Sequence, residues 1–135
     1  MDHNTIDVLI VDDQVGVRRL LFETLADEGF LVKMADGGAE ALQVLSHTVP
    51  SLILLDIKMP GMTGFETLQE IRKLHGSLPV AMMTAYGDMD LIAQNKGLGV
   101  LHYLSKPFDL DDVRTLVKDI VTESKKMQQS QAEIS

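Results

Sequence analysis

Six residues able to take part in phosphate or metal chemistry stand at the ends of short apolar runs. "IDVLIV" runs into Asp12 and Asp13, "SLILLD" ends on Asp56, "PVAMMT" ends on Thr84, and "VLHYLS" ends on Ser105 and leads into Lys106. A cluster of three carboxylates cannot stay fully charged without compensation. Two like charges about 4 Å apart repel by roughly 4 kcal/mol at an effective dielectric of about 20, so the cluster must take up a proton or hold a cation. No cysteine is available and no histidine stands at these run ends, so the donors are hard oxygens. That donor set suits Mg²⁺, or Mn²⁺ in its place, rather than zinc. A carboxylate nucleophile, a divalent cation, an ammonium and a hydroxyl together are what phosphoryl transfer to a carboxylate requires.

Each residue also has an ordinary reading. The Asp12–Asp13 pair precedes "QVGVRRLL" and one of the two can cap that helix, but capping leaves the second aspartate and Asp56 unexplained. Lys106 before Pro107 is a common surface-turn pair. The proline ends the run and can fix the lysine's direction, through a cis bond if need be. Thr84 is a normal strand residue, with Ala85 leaving room beside it. The weight lies in the coincidence of all of them at one kind of position.

The elements that must position these groups follow from periodicity. Five apolar runs, at 6–11, 30–35, 51–56, 79–84 and 100–105, are bounded by Gly, Pro, Asp or Ser and read as strands. Several are apolar at nearly every position, as strands covered on both faces are. Helical spacing fills the intervals, most clearly at Leu110, Val113, Leu116, Val117, Ile120 and Val121, with Asp109 as cap and Asp111 and Asp112 against the helix dipole. Gly29 and Gly76 read as stops for the first and third helices. Strand–helix alternation repeated five times predicts an α/β fold: a doubly wound parallel sheet with helices on both faces and right-handed crossovers. Ligands of such sheets bind beyond the carboxyl ends of the strands, where the polar residues fall. Residues 1–124 are expected to form one domain. From Lys125 the apolar period is lost, and 125–135 reads as a frayed tail.

Composition excludes several functions. The chain has 135 residues and a net charge of −8, which argues against a nucleic-acid surface because phosphate contacts need clustered Lys and Arg. The absence of cysteine rules out disulfides and thiolate metal sites and fits a reducing cytoplasm. No apolar run approaches a membrane span, and "MDHNTID" lacks a basic region followed by an apolar stretch, so neither insertion nor secretion is expected.

"VLIVDD", "LLDIKMPGMTGFE", "MTAYGD" and "YLSKPFD", in this order and spacing, resemble the receiver domain of bacterial two-component response regulators over residues 6 to 122. The resemblance implies a flavodoxin-like sheet of order 2-1-3-4-5 with five helices. It implies that Asp56 accepts a phosphoryl group from a phosphohistidine on a sensor histidine kinase. Asp12, Asp13, Asp56 and the backbone carbonyl of Lys58 would hold Mg²⁺, Thr84 and Lys106 would contact the phosphoryl oxygens, and Tyr103 would move with Thr84 as a switch. "VDDQVGVRRLL", "DIKMPGM", "MTAYGDMD" and "KPFD" are similar to the single-domain phosphorelay intermediates of sporulation, which pass the group to a histidine phosphotransferase; Tyr103 departs from that subfamily, where a histidine is expected.

Helix 1 carries Val17, Leu20, Leu21, Phe22 and Leu25 over an arc wider than the roughly 100° one buried face requires. Some of that apolar surface is expected to be exposed beside the acidic site as a docking surface. The resemblance directs attention there to Gln14, Gly16, Val17 and Leu20. Lys58 and Tyr86, each two residues past a site residue, are large enough to screen attacking water and slow hydrolysis. The chain is thus expected to be a monomeric phosphoryl carrier, not an enzyme turning over a substrate. The competing readings are a receiver cut from a larger transcriptional regulator and an aspartate-nucleophile phosphatase. The latter carries D-x-D after strand 1, where this chain has adjacent aspartates. A flavin carrier is disfavoured by the acidic loop at the same place.

Overall fold

The five apolar runs form five parallel strands, β1 Ile6–Val11, β2 Val32–Ala35, β3 Pro50–Asp56, β4 Val80–Thr84 and β5 His102–Ser105, in the order β2-β1-β3-β4-β5. The structure is a computed structural model that describes residues 5–134, with side chains described through Met127. Five helices alternate with the strands: α1 Val15–Asp27, α2 Gly38–Leu45, α3 Gly64–Leu74, α4 Met89–Gln94 and α5 Leu110–Ile134. Doubly wound topology and sheet order agree with the sequence reading.

Apart from Asp7 and Ser51 near their starts and the polar residues at their carboxyl ends, the central strands are apolar at every position, because the pleat sends alternate side chains into two different cores. Leu9, Val11, Ile53, Leu55, Val80 and Met82 face Ala41 and Leu45 of α2 and Phe65, Leu68 and Ile71 of α3. Val8, Ile10, Leu52, Leu54, Ala81 and Met83 face Leu21 and Leu25 of α1 and Val113, Val117 and Val121 of α5. A one-residue slip of β3 would send each set of side chains into a core shaped for the other and carry Asp56 away from the rim, so close packing and the polar strand end fix the register. That register pairs Val11 with Leu55 and Asp56 with Met83, and pairs Thr84 with Ser105, so the polar strand ends reach one rim together.

Two strands start two residues into their apolar runs. Gly29, at φ +92°, ends α1, and Phe30 donates its N–H back to Leu25 before β2 begins at Val32. Gly99, at φ +72°, likewise delays β5 to His102. The expected frayed tail differs as well: the backbone of α5 stays helical through Ile134. The apolar period does end, and Met127 is exposed, but no Gly or Pro interrupts Leu110–Ile134 and its Lys, Met, Gln, Glu and Ala residues are good helix formers. Asp109 accepts the Asp111 N–H at 2.9 Å, the expected cap of this helix.

The segment after Asp56 depends on two glycines. Gly61 has φ +78°, a left-handed turn conformation that most side chains resist. At Gly64 an added Cβ would run into the Asp56 carbonyl oxygen and come within 2.8 Å of the Ile57 Cα. The start of α3 therefore lies directly against the end of β3, with Gly64 N–H donating to the Ile57 carbonyl at 2.8 Å. Thr63 and Glu66 close a reciprocal capping box there, the Thr63 hydroxyl accepting from Glu66 N–H at 3.2 Å and the Glu66 carboxylate from Thr63 N–H at 2.9 Å.

Candidate functional site

The rim brings Asp12, Asp13 and Asp56 together, each offering a carboxylate oxygen within 4.8 Å of the others. Asp12 is fully buried and firmly held. Its Oδ1 accepts the Gln14 N–H at 2.9 Å, its Oδ2 accepts from Lys106 Nζ at 2.8 Å, and its backbone carbonyl accepts from Arg18 at 2.7 Å. The expected aspartate cap of α1 is absent. Gln14 is the N-cap residue and makes no side-chain cap bond, and its own N–H is taken by the Asp12 carboxylate two positions earlier.

Lys106 crosses from the end of β5 to the two inner carboxylates, reaching Asp12 at 2.8 Å and Asp56 at 3.3 Å. Pro107 follows through a cis peptide bond. Three carboxylates and one ammonium leave two negative charges uncompensated, which matches a divalent cation. The donor set of carboxylate oxygens fits a hard ion such as Mg²⁺. Asp56 is 7 % exposed, and its pKa is pushed up to about 6, first by burial and then by the charge of Asp12, with Lys106 pulling the other way. Burial alone would lower the Lys106 pKa. The hydrogen bond and charge of Asp12, and then of Asp56, outweigh it, so the pKa is raised and the lysine stays charged.

Thr84 is buried at the end of β4, its hydroxyl donating to the Leu104 carbonyl at a long 3.4 Å, while its own carbonyl accepts the Lys106 N–H at 2.7 Å. Tyr103 is half-buried in β5, packed against the core shared with α2 and α3, and burial raises its phenol pKa. Lys58 lies in the loop after β3 with its ammonium 3.3 Å from Asp88 Oδ1, and Tyr86 is fully exposed. On α1, Gln14, Gly16 and Leu20 are exposed and Val17 is partly buried, while Leu21 and Leu25 enter the core. The apolar surface expected there is present, and Val15, 63 % exposed, enlarges it.

Sequence reasoning missed two residues. Arg18, six positions after Asp12, holds the turn beneath it, and nothing in its helical spacing marks that contact. Asp88 is a 2 % exposed carboxylate whose Oδ2 accepts the Ala85 N–H at 2.7 Å. Its only signal was a charged residue following Gly87 in a turn.

The family model for the response regulator receiver domain matches residues 8–118. The chain is a response regulator receiver domain. It is 44% identical over 111 residues to sporulation initiation phosphotransferase F of Bacillus subtilis, covering 82% of this chain and 90% of that protein. It is 38% identical over 122 residues to the DNA-binding transcriptional regulator NtrC of Escherichia coli, covering 90% of this chain and 26% of the regulator. Among solved structures, the receiver domain of NtrX from Brucella abortus superimposes with a TM-score of 0.79 at 31% identity, over 86% of this chain and 98% of that one. Asp12, Asp13 and Asp56 form, among the described residues, a group that could hold a metal ion. Among the described residues no helix is long and apolar enough to cross a membrane.

Proposed function

We propose that Asp56 accepts a phosphoryl group from the phosphohistidine of a sensor histidine kinase and passes it to a histidine phosphotransferase. The carrying observation is Lys106 Nζ bridging Asp12 at 2.8 Å and Asp56 at 3.3 Å inside a three-carboxylate cluster, the combination of nucleophile, cation site and fixed ammonium that phosphoryl transfer uses. Asp12, Asp13, Asp56 and the Lys58 carbonyl would hold Mg²⁺, with Mn²⁺ able to substitute. The bound ion supplies positive charge for the phosphoryl oxygens. An Asp56 oxygen attacks phosphorus in line as the P–N bond to the donor imidazole breaks. Lys106 keeps its charge against the phosphoryl oxygens, and Thr84 turns its hydroxyl from Leu104 to the product, Tyr103 following. Lys58 and Tyr86 slow the return of water. The exposed face of α1, with Gln14, Gly16, Val17 and Leu20, receives the helical partner.

The chain acts in this reading as a monomeric cytoplasmic carrier that supplies the groups for its own phosphorylation and slow dephosphorylation. Residues 1–124 form the receiver unit. A second reading, a receiver within a larger transcriptional regulator, is favoured by the NtrC match, of which the chain spans about a quarter. Transfer from the phosphorylated chain to a purified histidine phosphotransferase favours the relay.

The direct test is labelling with acetyl phosphate and Mg²⁺. Wild type acquires acid-labile phosphate, while Asp56→Asn does not, and excess EDTA abolishes the signal. Acid-labile phosphate retained in the variant refutes the assignment.

A further inference from the structure

Asp88 is the N-cap residue of α4 but makes no side-chain cap bond. Its two oxygens are used otherwise. Oδ2 fixes the Ala85 N–H, one residue beyond Thr84, at 2.7 Å. Oδ1 is buried without a hydrogen bond and faces Lys58 Nζ at 3.3 Å. A carboxylate this deeply buried is costly to leave without a counter-charge, so the lysine's position is set by Asp88 rather than by solvent. The lysine side chain itself remains 65 % exposed, so a stronger anion nearby can reach its ammonium. It belongs to the loop that follows Asp56, which lies two residues upstream.

We propose that Asp88 is a positioning residue that parks the Lys58 ammonium, and that phosphorylated Asp56 competes with Asp88 for it, the outcome setting how long the acyl phosphate survives. This rests on Asp56 being the phosphoryl acceptor. Before phosphorylation Lys58 neutralises Asp88 and leaves the approach to Asp56 open for a donor. An acyl phosphate dianion replaces one negative charge at Asp56 with two and pulls the ammonium toward it. In hydrolysis the water oxygen bonds to phosphorus, the P–O bond to Asp56 breaks, Asp56 leaves as carboxylate, and inorganic phosphate carries the water's protons. A lysine drawn onto the phosphoryl oxygens occupies that approach and holds the dianion. A lysine held by Asp88 does neither. The carboxylate that tethers the Thr84 loop therefore also governs access to the neighbouring phosphoryl group.

Asp88→Asn removes the competing charge and keeps an acceptor for Ala85 N–H. Asp88→Ser does the same with a smaller side chain that suits a helix N-cap. Wild type, both variants, Lys58→Ala and the two double variants are labelled with acetyl phosphate and Mg²⁺, freed of donor by desalting, and followed for loss of acid-labile phosphate. Each Asp88 variant is expected to lengthen the lifetime about two- to fivefold, the range that an ion pair with an exposed partner carries. The lengthening disappears in the Lys58→Ala background, a coupling that a purely structural role for Asp88 would not produce. An unchanged lifetime in the variant that folds, or the same change with and without Lys58, overturns the proposal while leaving Asp56 as acceptor. Wild type that takes no label overturns the acceptor reading itself.

Discussion

Replacing the candidate nucleophile should stabilise the metal-free protein. Asp56 is ionised at neutral pH against burial and the charge of Asp12, and its pKa stands at about 6 instead of 3.8. The attraction of Lys106 is already inside that balance, so a neutral isostere measures the net penalty. A displacement from 3.8 to about 6 corresponds to about 3 kcal/mol, which water at the open rim reduces to about 1–2 kcal/mol. The folded state holds this proton more tightly than the unfolded chain does. Stability therefore falls as pH rises between about 4 and about 6, and is level above that range as far as this group is concerned. Asp56→Asn removes the fall. In EDTA at pH 7.5 the variant is expected to melt about 3–8 °C higher than wild type, given about 3–4 °C per kcal/mol for a domain of this size. The gap should shrink toward pH 4. Saturating Mg²⁺ should narrow or invert it, because only the wild type keeps all three carboxylates for the ion. Calorimetric melting of both proteins at several pH values, with and without Mg²⁺, measures all three effects. A variant no more stable than wild type in EDTA at pH 7.5, or a gap independent of pH, refutes the electrostatic account.

Lys106→Met removes the cation that competes for the cluster. Mg²⁺ should bind roughly tenfold tighter by titration calorimetry, on the order of 1.4 kcal/mol, while labelling by acetyl phosphate slows; unchanged Mg²⁺ affinity would count against the Lys106 bridge. Gly64→Ala forces the start of α3 away from the Asp56 carbonyl and should cost about 1–3 kcal/mol in urea unfolding, with a loss under about 0.5 kcal/mol contradicting the close approach.

The strand ends were legible because burial on two faces leaves little choice of register. With β1 apolar from Val8 to Val11, β3 from Leu52 to Leu55 and β4 from Val80 to Met83, the polar residues Asp12, Asp56 and Thr84 stand at the carboxyl ends, and Lys106 follows β5 to the same rim. The glycines after Asp56 were legible as a turn and a helix start, although the contact that demands Gly64 needed coordinates. Contacts between loops were not legible. Lys58 meets Asp88 across 30 positions of chain, and neither residue lies in a periodic element that would announce the other. The end of α5 was misjudged for a related reason: loss of the apolar stripe removes a reason to pack, but the residues beyond it still favour helix.

The distances around the rim separate firm contacts from ones that are easily given up. Lys106 is held by Asp12 at 2.8 Å, whereas Thr84 reaches the Leu104 carbonyl at 3.4 Å and Lys58 reaches Asp88 at 3.3 Å. Hydrogen-bond strength falls steeply with length, so the Thr84 contact costs little to exchange for a phosphoryl oxygen, a better acceptor and more highly charged. Lys58, by contrast, moves only against the pull of the buried Asp88 carboxylate, which the doubly charged phosphoryl group must outweigh. Lys106 gains a contact without surrendering Asp12, because an ammonium has three donors. On the proposed reading, Lys106 is thus a fixed part of the site in both states, and the groups that change partner on phosphorylation are Thr84 and Lys58. Their exchanges lead into the same short segment, since Thr84 precedes Ala85 and Asp88 holds the Ala85 N–H. Movement between Thr84 and Asp88 is where the chemistry at Asp56 would first become a change of surface.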